Sequence, residues 1–255
     1  MAGSPFDPFD LRPAGPASGT VLLLHGFTGS PWDLRPLGEA LRAAGYRASC
    51  PVLPGHGDAA GDISGVTELE WEECAEGALR ALYAEEGGPV HLLGFSMGAL
   101  LAVQLAAHHP ARVRSLALFA PALRTQDRSV DWFRRLRLLP LEWLRPWVKK
   151  EGTDIRDEAT RAAAPLMPRW PLGWLRGFLR LQSRAWALAP TVRAPALLLA
   201  ADRDAVVALA GVRALAVRLP GTRRLVRLPR SGHVIPQDLD ADRAAAELVD
   251  FLRRT

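Results

Sequence analysis

The sequence predicts an α/β protein in which helices flank a mostly parallel central sheet. Short runs rich in Leu and Val, without polar alternation, are separated by helical patterns, as expected for strands buried on both faces. The chain has 255 residues and is 49% hydrophobic, enough for one sizeable core. The alternation stops between Pro121 and Pro195, a stretch too long for a structureless loop, which predicts a helical cap insertion.

The elements follow from these patterns in chain order. Strands are predicted at residues 20–24, 47–52, 90–93, 115–119, 196–200 and 224–228. Helices are predicted at residues 33–44, 68–86, 97–108, 207–219 and 240–253. We expect a sheet of six to seven strands, with a core formed by residues 1–121 and 195–255 and a cap formed by residues 122–194.

Composition narrows the function classes. The net charge of +5 arises from residues 124–193, which carry 15 Lys and Arg against 7 Asp and Glu. No nucleic-acid-binding motif accompanies this charge, so no nucleic-acid partner is expected. Cys50 and Cys74 lack metal or disulfide spacing and are interpreted as inert core thiols. Neither a signal peptide nor an apolar run of membrane-spanning length is present in the sequence, which predicts a cytoplasmic protein.

Residues 94–98, Gly-Phe-Ser-Met-Gly, form a G-x-S-x-G motif between a predicted strand and a predicted helix. In this context the serine lies on a sharp turn with its hydroxyl exposed at the end of the sheet. Glycine is required on both sides because strand and helix approach closely there. We therefore predict that Ser96 is a nucleophile, and the alternative is a glycine-rich turn with an incidental serine.

A tetrahedral intermediate on Ser96 needs backbone donors for its oxyanion. One donor is expected from Met97, the residue after the nucleophile. The other is expected from Phe27, because His25 and Gly26 end the first predicted strand, where the chain turns. His25 is then interpreted as a residue that orders this loop.

Serine is a weak nucleophile at neutral pH and needs a base that an acid orients. His233 lies after the last predicted strand, where such a base is expected, and it is our candidate. His91 lies within a strand, and the neighbouring His108 and His109 end a helix, where a dipole role suffices. His56 lies on a loop at the catalytic edge, but it precedes the serine, whereas this fold orders its residues Ser, acid, His.

The acid is expected after the strand that follows the insertion, where Asp202 and Asp204 are available. Asp204 lies past the strand end and is the predicted acid. Asp202 is expected to pair with Arg203 or to cap the turn.

Four motifs, in addition to the serine motif, make the sequence similar to the bacterial carboxylesterase and monoacylglycerol lipase group of the α/β-hydrolase superfamily. These four are residues 24–30 (Leu-His-Gly-Phe-Thr-Gly-Ser), 55–57 (Gly-His-Gly), 231–234 (Ser-Gly-His-Val) and 201–206 (Ala-Asp-Arg-Asp-Ala-Val). The last departs from the family pattern by having Ala201 where glycine is common, and its alignment again selects Asp204.

This resemblance implies the α/β-hydrolase fold, no cofactor, and cleavage of monoacylglycerols or short-to-medium acyl esters. Thioesterase, lactonase and acyltransferase or perhydrolase activities use the same three residues and stay open as alternatives. A non-catalytic binding protein of the same fold is the alternative from another class. The expected partner is a small, lipid-like acyl ester, and the sequence does not indicate an oligomeric state.

The predicted insertion contains six of the eight tryptophans: Trp132, Trp143, Trp147, Trp170, Trp174 and Trp186. Residues 172–184 are amphipathic, with Trp174 and Phe178 on one face and arginines on another. One interpretation is a lid that touches anionic lipid surfaces, and the other is a cap that packs its aromatic face on the core and shows arginine to water.

Overall fold

The computed structural model describes residues 4–57, 65–126, 130, 147–150 and 152–255. Its centre is a seven-stranded sheet in the order β1-β3-β2-β4-β5-β8-β9, parallel except for β1. The strands are β1 (Phe9–Leu11), β2 (Thr20–Leu24), β3 (Arg47–Cys50), β4 (Val90–Phe95), β5 (Val113–Phe119), β8 (Ala196–Ala201) and β9 (Thr222–Leu228). The predicted α/β class and strand number are confirmed.

Helices cover both faces of the sheet. They are α1 (Arg35–Ala43), α2 (Glu68–Glu86), α3 (Met97–His108), α4 (Glu158–Ala163), α5 (Trp174–Leu188), α6 (Leu209–Arg218) and α7 (Ala241–Arg253). α1 and α7 pack on one face, and α2, α3, α5 and α6 contribute to the core on the other. In the part of the chain that is described, no helix is long and apolar enough to cross a bilayer.

Strand β2 shows why its sequence has no polar alternation. Successive side chains of a strand point to opposite faces of the sheet. Leu22 and Leu24 therefore enter the core under α2 and α3, while Val21 and Leu23 enter the core under α1 and α7. All four are fully buried, so both faces of the strand demand apolar residues.

The structure departs from the predicted strands at β1 and at the end of β3. β1 was not predicted, because three residues are too few for a periodic pattern; it pairs antiparallel with β3 at the sheet edge. There Asp10 accepts a hydrogen bond of 2.8 Å from the Arg47 guanidinium. β3 ends at Cys50 rather than at the predicted residue 52, since Pro51 has no N–H to continue the ladder.

Residues 122–194 lie between β5 and β8. Besides α4 and α5 they hold an antiparallel ribbon of β6 (Trp147–Lys149) and β7 (Arg169–Pro171), which the sequence prediction did not include. α5 packs on α2 and α3, and its Trp174 and Phe178 are buried, as the amphipathic pattern predicts. Trp132 and Trp143 lie outside the described residues.

The arginine face of α5 pairs with acidic residues of α2. Arg180 binds the Glu68 carboxylate with two nitrogens, one of them at 2.7 Å. Arg184 binds Glu72, also at 2.7 Å. The Glu68 side chain is buried, and the guanidinium beside it lowers the pKa of that carboxyl. Both arginines therefore have partners within the protein.

Candidate active site

The strand–turn–helix unit around Ser96 is crowded. Ser96 has φ 55° and ψ −113°, a backbone conformation that is strained for a residue with a side chain. A Cβ added at Gly94 would lie 2.4 Å from Ala99 Cα, and one at Gly98 would lie 2.0 Å from the Leu24 carbonyl oxygen. Both contacts are impossible, so the two motif glycines are required by the close approach of strand and helix.

The structure brings the three predicted triad side chains into one hydrogen-bonded chain. His233 Nε2 lies 2.9 Å from Ser96 Oγ, and His233 Nδ1 lies 2.9 Å from Asp204 Oδ2. All three residues are buried, so these interactions are little weakened by water. Chains of this geometry let an imidazole accept the serine proton while the carboxylate fixes its tautomer.

The loop after β8 orients Asp204. Its Oδ1 accepts the backbone N–H groups of Val206 at 2.8 Å and Val207 at 2.7 Å, which leaves Oδ2 for the imidazole. Val207 also pairs with Thr125, which explains why α6 begins at Leu209 rather than at residue 207. Asp202 instead lies near the surface and accepts a hydrogen bond from Arg227 at 2.8 Å. Its partner is therefore Arg227 and not Arg203, the partner that the sequence suggested.

The loop after β2 packs directly against the serine. A Cβ on Gly26 would lie 3.1 Å from Ser96 Cβ, so a side chain at this position would be tightly packed against the serine. In the described part of the chain, no acceptor takes the N–H of Phe27 or of Met97. These are the two predicted oxyanion donors, and such free donors can bind a developing negative charge.

Aromatic side chains hold the Phe27 ring. They come from the core and from the segment between β5 and β8, and they are His56, Trp71, Trp170, Trp174 and Phe178, with ring centroids 5.0–6.5 Å from that of Phe27. Four of these contacts are edge-to-face, a packing that fixes ring orientation. The aromatic contacts therefore hold the Phe27 side chain of the loop after β2.

Two histidines order loops near the site: His25, for which the sequence predicts this role, and His56, which the sequence left as an alternative base. His25 is fully buried, with Nε2 accepting the N–H of Leu53 at 3.0 Å, and burial lowers its pKa to about 4. His56 stacks on Trp174 with ring centroids 4.9 Å apart, and burial lowers its pKa to about 3. Both stay neutral at pH values near neutrality, and both are held by backbone groups.

The other alternative histidines lie in β4 or at the end of α3. His91 Nδ1 lies 2.7 Å from Ser115 Oγ within the sheet. His108 and His109 stand at the end of α3, where His109 Nε2 lies 3.4 Å from Glu76. Their contacts are structural.

A cavity of about 740 Å³ opens beside Ser96. One part of its wall is apolar and includes Trp170, Leu172, Leu175 and Phe178. Another part carries polar groups of Thr28, Asp33, Lys150 and Asp154. Ser96 and His233 also line the cavity, so the Ser96 hydroxyl has access to both kinds of wall.

Lys150 and Asp33 were not predicted as site residues. Lys150 Nζ donates to the Thr28 carbonyl oxygen at 3.0 Å, and burial lowers its pKa, an effect that the Asp33 carboxylate opposes. Burial raises the pKa of Asp33, whose Oδ2 accepts the N–H of Ser30 at 3.1 Å. A single charged residue carries no sequence signal of a site, and only the fold brings these two to the cavity that Ser96 lines.

Metal ligation was not predicted. Among the described residues, no group of three or more His, Cys, Asp or Glu side chains is arranged to hold a metal ion.

Burial raises the thiol pKa of both Cys50 and Cys74, which are free thiols, in agreement with the prediction of unreactive cysteines.

Comparisons with known proteins agree with this geometry. The serine aminopeptidase, S33, family matches residues 15–240. Thermostable monoacylglycerol lipase of Bacillus sp. (strain H-257) is 28% identical over 92% of this chain and 90% of its own length. Pimeloyl-[acyl-carrier protein] methyl ester esterase of Aromatoleum aromaticum is 29% identical over 84% of this chain and 90% of its own length.

A solved structure of a metagenome-derived lipolytic enzyme superposes with a TM-score of 0.86 at 26% identity, covering 98% of each chain. The resemblance to esterases and lipases that the sequence motifs indicated is confirmed. The chain belongs to the serine aminopeptidase, S33, family and is a serine hydrolase of the α/β-hydrolase superfamily.

Proposed function

We propose that the enzyme hydrolyses monoacylglycerols or short-to-medium acyl esters through Ser96, His233 and Asp204 and a covalent acyl-enzyme. The observation that carries the proposal is the 2.9 Å hydrogen bond between Ser96 Oγ and His233 Nε2, made where the cavity wall combines apolar and polar parts. Ester hydrolysis needs an activated hydroxyl with room on both sides for an acyl chain and an alcohol.

In the acylation step, the Ser96 hydroxyl gives its proton to His233 Nε2 while Oγ bonds to the ester carbonyl carbon. The carbonyl oxygen becomes an oxyanion, which the N–H groups of Phe27 and Met97 bind. The bond from carbon to the alcohol oxygen then breaks. The alcohol leaves with the proton from Nε2, and Ser96 carries the acyl group.

Deacylation repeats the sequence with water as the nucleophile. Water gives a proton to His233 Nε2 and bonds to the acyl carbon, the bond from Ser96 Oγ breaks, and Oγ recovers the proton. Throughout, Asp204 Oδ2 accepts the hydrogen bond from His233 Nδ1–H, and the carboxylate stabilises the imidazolium. No cofactor takes part in either step.

The cavity wall supports a glycerol ester as substrate. The part formed by Trp170, Leu175 and Phe178 suits an acyl chain, whose burial is worth about 0.8 kcal/mol per methylene. The polar part offers Lys150 as a donor and Asp33 as an acceptor, which suits neutral hydroxyl groups. Because the carboxylates of Asp33 and Asp154 line this part of the wall together with the Lys150 ammonium group, an alcohol that carries a negative charge would fit it less well. The similarity to a monoacylglycerol lipase agrees.

A second candidate is a methyl ester or thioester of a carrier-bound acyl chain, because a methyl ester esterase is among the relatives. A methanol leaving group would leave the polar wall without a function. Lactones and acyl transfer to peroxide use the same three residues. Comparing glycerol, methyl and thioester substrates with one shared acyl chain separates these candidates.

We also propose that residues 122–194 form a cap over the cavity and that the enzyme acts in the cytoplasm. The buried face of α5 packs on the core, and Arg180 and Arg184 already pair with Glu68 and Glu72. These contacts favour a cap that packs on the core over a lid that binds anionic lipid. Weak binding to anionic vesicles, unchanged in Arg180→Gln, is the expected result.

The decisive experiment compares wild type with Ser96→Ala on 1-monoacylglycerols and p-nitrophenyl esters bearing butanoyl, octanoyl or hexadecanoyl chains. We expect wild type to hydrolyse both series and the variant to be slower by about 10⁶-fold, the loss typical of a removed nucleophile. Equal rates for the two proteins would contradict the role of Ser96. Activity on thioesters or methyl esters alone would contradict the glycerol-ester proposal.

A further inference from the structure

Carboxylates hold the loop that carries His233. Four successive backbone N–H groups each donate to an aspartate: Arg230 and Ser231 to Asp240, Gly232 to Asp238, and His233 to Asp154. Hydrogen bonds to ionised acceptors are shorter and stronger than those to neutral ones. Of these three acids, only Asp154 comes from the segment between β5 and β8.

Asp154 joins the two loops on which the hydrogen-bonded triad depends. Its Oδ2 accepts the N–H of His233 at 2.9 Å and the N–H of Ala205, the residue after Asp204, at 2.7 Å. Its backbone carbonyl oxygen accepts the N–H of Val234 at 3.2 Å. One carboxylate oxygen therefore sets the spacing between the loop after β8 and the loop after β9.

The position of Asp154 is closely determined. Its side chain is only 14% exposed, and a Cβ on Gly232 would lie 2.7 Å from its Oδ1 and 2.8 Å from its carbonyl oxygen. Asp238 holds the same stretch of chain, because it accepts the N–H of Arg156 as well as that of Gly232. Asp154 thus lies in a closely packed site built from two distant parts of the chain.

We propose that Asp154 is a positioning residue, which keeps the His233 imidazole aligned between Ser96 and Asp204 by holding the two loops together. This inference rests on the proposed triad but not on the proposed substrate. It makes the segment between β5 and β8 a part of the catalytic geometry as well as a wall of the cavity. A displacement of about 1 Å at a reacting group can cost about 10²-fold in rate.

The test compares Asp154→Ala, which removes the acceptor, with Asp154→Asn, whose amide oxygen can still accept both N–H groups. We expect Ala to lower kcat by about 10²-fold and Asn to stay within about tenfold of wild type. Asp157→Ala is the matched control, because Asp157 lies in the same stretch but its carboxylate caps α4 through Thr160. Its kcat is expected to equal that of wild type.

Because Asp154 also lines the cavity, the readout must separate positioning from substrate binding. Monobutyrin and p-nitrophenyl butyrate share an acyl group and differ in alcohol, so a positioning role predicts equal losses of kcat on both and little change in KM. A small fluorophosphonate, which reports only on the reactivity of Ser96, should label Asp154→Ala correspondingly slowly.

Three results would overturn the proposal: a kcat of Asp154→Ala near that of wild type, a loss confined to KM or to monobutyrin, or unchanged labelling. If Asp154→Ala does not fold, Asp154→Glu replaces it, because the added methylene displaces the carboxylate oxygen from the two N–H groups. The kcat of Asp154→Glu should then be lower than that of Asp154→Asn. Equal kcat values for these two variants would overturn the proposal. Labelling of wild type without cleavage of monobutyrin would refute the proposed substrate while leaving this inference intact.

Discussion

Replacing Asp204 by asparagine is expected to reverse the tautomer of His233. Asp204 Oδ1 accepts two backbone N–H groups, so in the variant the amide oxygen must keep that position. The amide nitrogen then faces His233 Nδ1, which can only accept a hydrogen bond from it. The imidazole proton moves to Nε2, and Nε2 can no longer accept the proton of Ser96.

The size of the effect follows from this geometry. In triads generally, the change from aspartate to asparagine lowers kcat by about 10⁴-fold with the fold intact. That corresponds to about 5.4 kcal/mol of activation free energy. Because Asp204 is buried, and the backbone donors hold the amide in the unfavourable orientation, we expect no compensating rotation.

The assay is the hydrolysis of p-nitrophenyl butyrate under saturating conditions, with unfolding midpoints measured alongside. Asp202→Asn is the matched control: its carboxylate lies two residues away and pairs with the half-exposed Arg227. That variant is expected to change kcat by less than about twofold, because surface ion pairs contribute little.

A larger loss in Asp202→Asn than in Asp204→Asn would refute the assignment of the acid. Equal and small losses would refute the tautomer argument itself, because they would mean that His233 needs no carboxylate.

Three further predictions concern stability. Gly98→Ala should destabilise the fold by at least about 1–3 kcal/mol, since its Cβ would lie 2.0 Å from the Leu24 oxygen; thermal unfolding measures this, and an unchanged midpoint would contradict the crowded turn. Burial lowers the pKa of His56 to about 3. Below about pH 6.5 the unfolded state therefore binds a proton on this histidine, which stays neutral in the folded state until the pH approaches 3. The contribution of His56 to the free energy of unfolding should therefore fall by at most about 1.4 kcal/mol per pH unit as pH falls from about 6.5 toward 3, and His25, whose pKa is lowered to about 4, contributes in the same direction. A urea midpoint that stays constant across this window would argue against the burial of these histidines. Glu68→Gln removes the buried carboxylate that pairs with the half-exposed Arg180, so the free energy of unfolding measured in urea should fall by about 1 kcal/mol. The kcat should stay unchanged, and a loss of kcat would show that α5 influences the site.

The fold was predictable from sequence wherever the signal is local and periodic. α2 occupies the predicted residues 68–86, with a capping box between Thr67 and Glu70 at its start. The exceptions are elements whose stability comes from partners far along the chain. β1 exists because it pairs with β3, and the β6–β7 ribbon exists because two short stretches meet.

The candidate site divides in the same way. Ser96 was predictable because the turn is crowded locally, and this crowding requires a glycine on both sides of the serine. His233 and Asp204 were predictable from chain order, since parallel strands bring successive loops to one edge of the sheet. Lys150 and Asp154 were not, because a lone charged residue has the same sequence signature whether it faces water or the serine.

The sequence by itself determined the strand–turn–helix unit, the chain order of Ser96, Asp204 and His233, and the family to which the chain belongs. It could do so because backbone sterics and hydrophobic periodicity act between near neighbours. Only the tertiary structure showed the contact between Asp204 and His233, and the Asp154 carboxylate that holds their two loops together. Those contacts join residues 29 to 79 positions apart, and no local rule relates them.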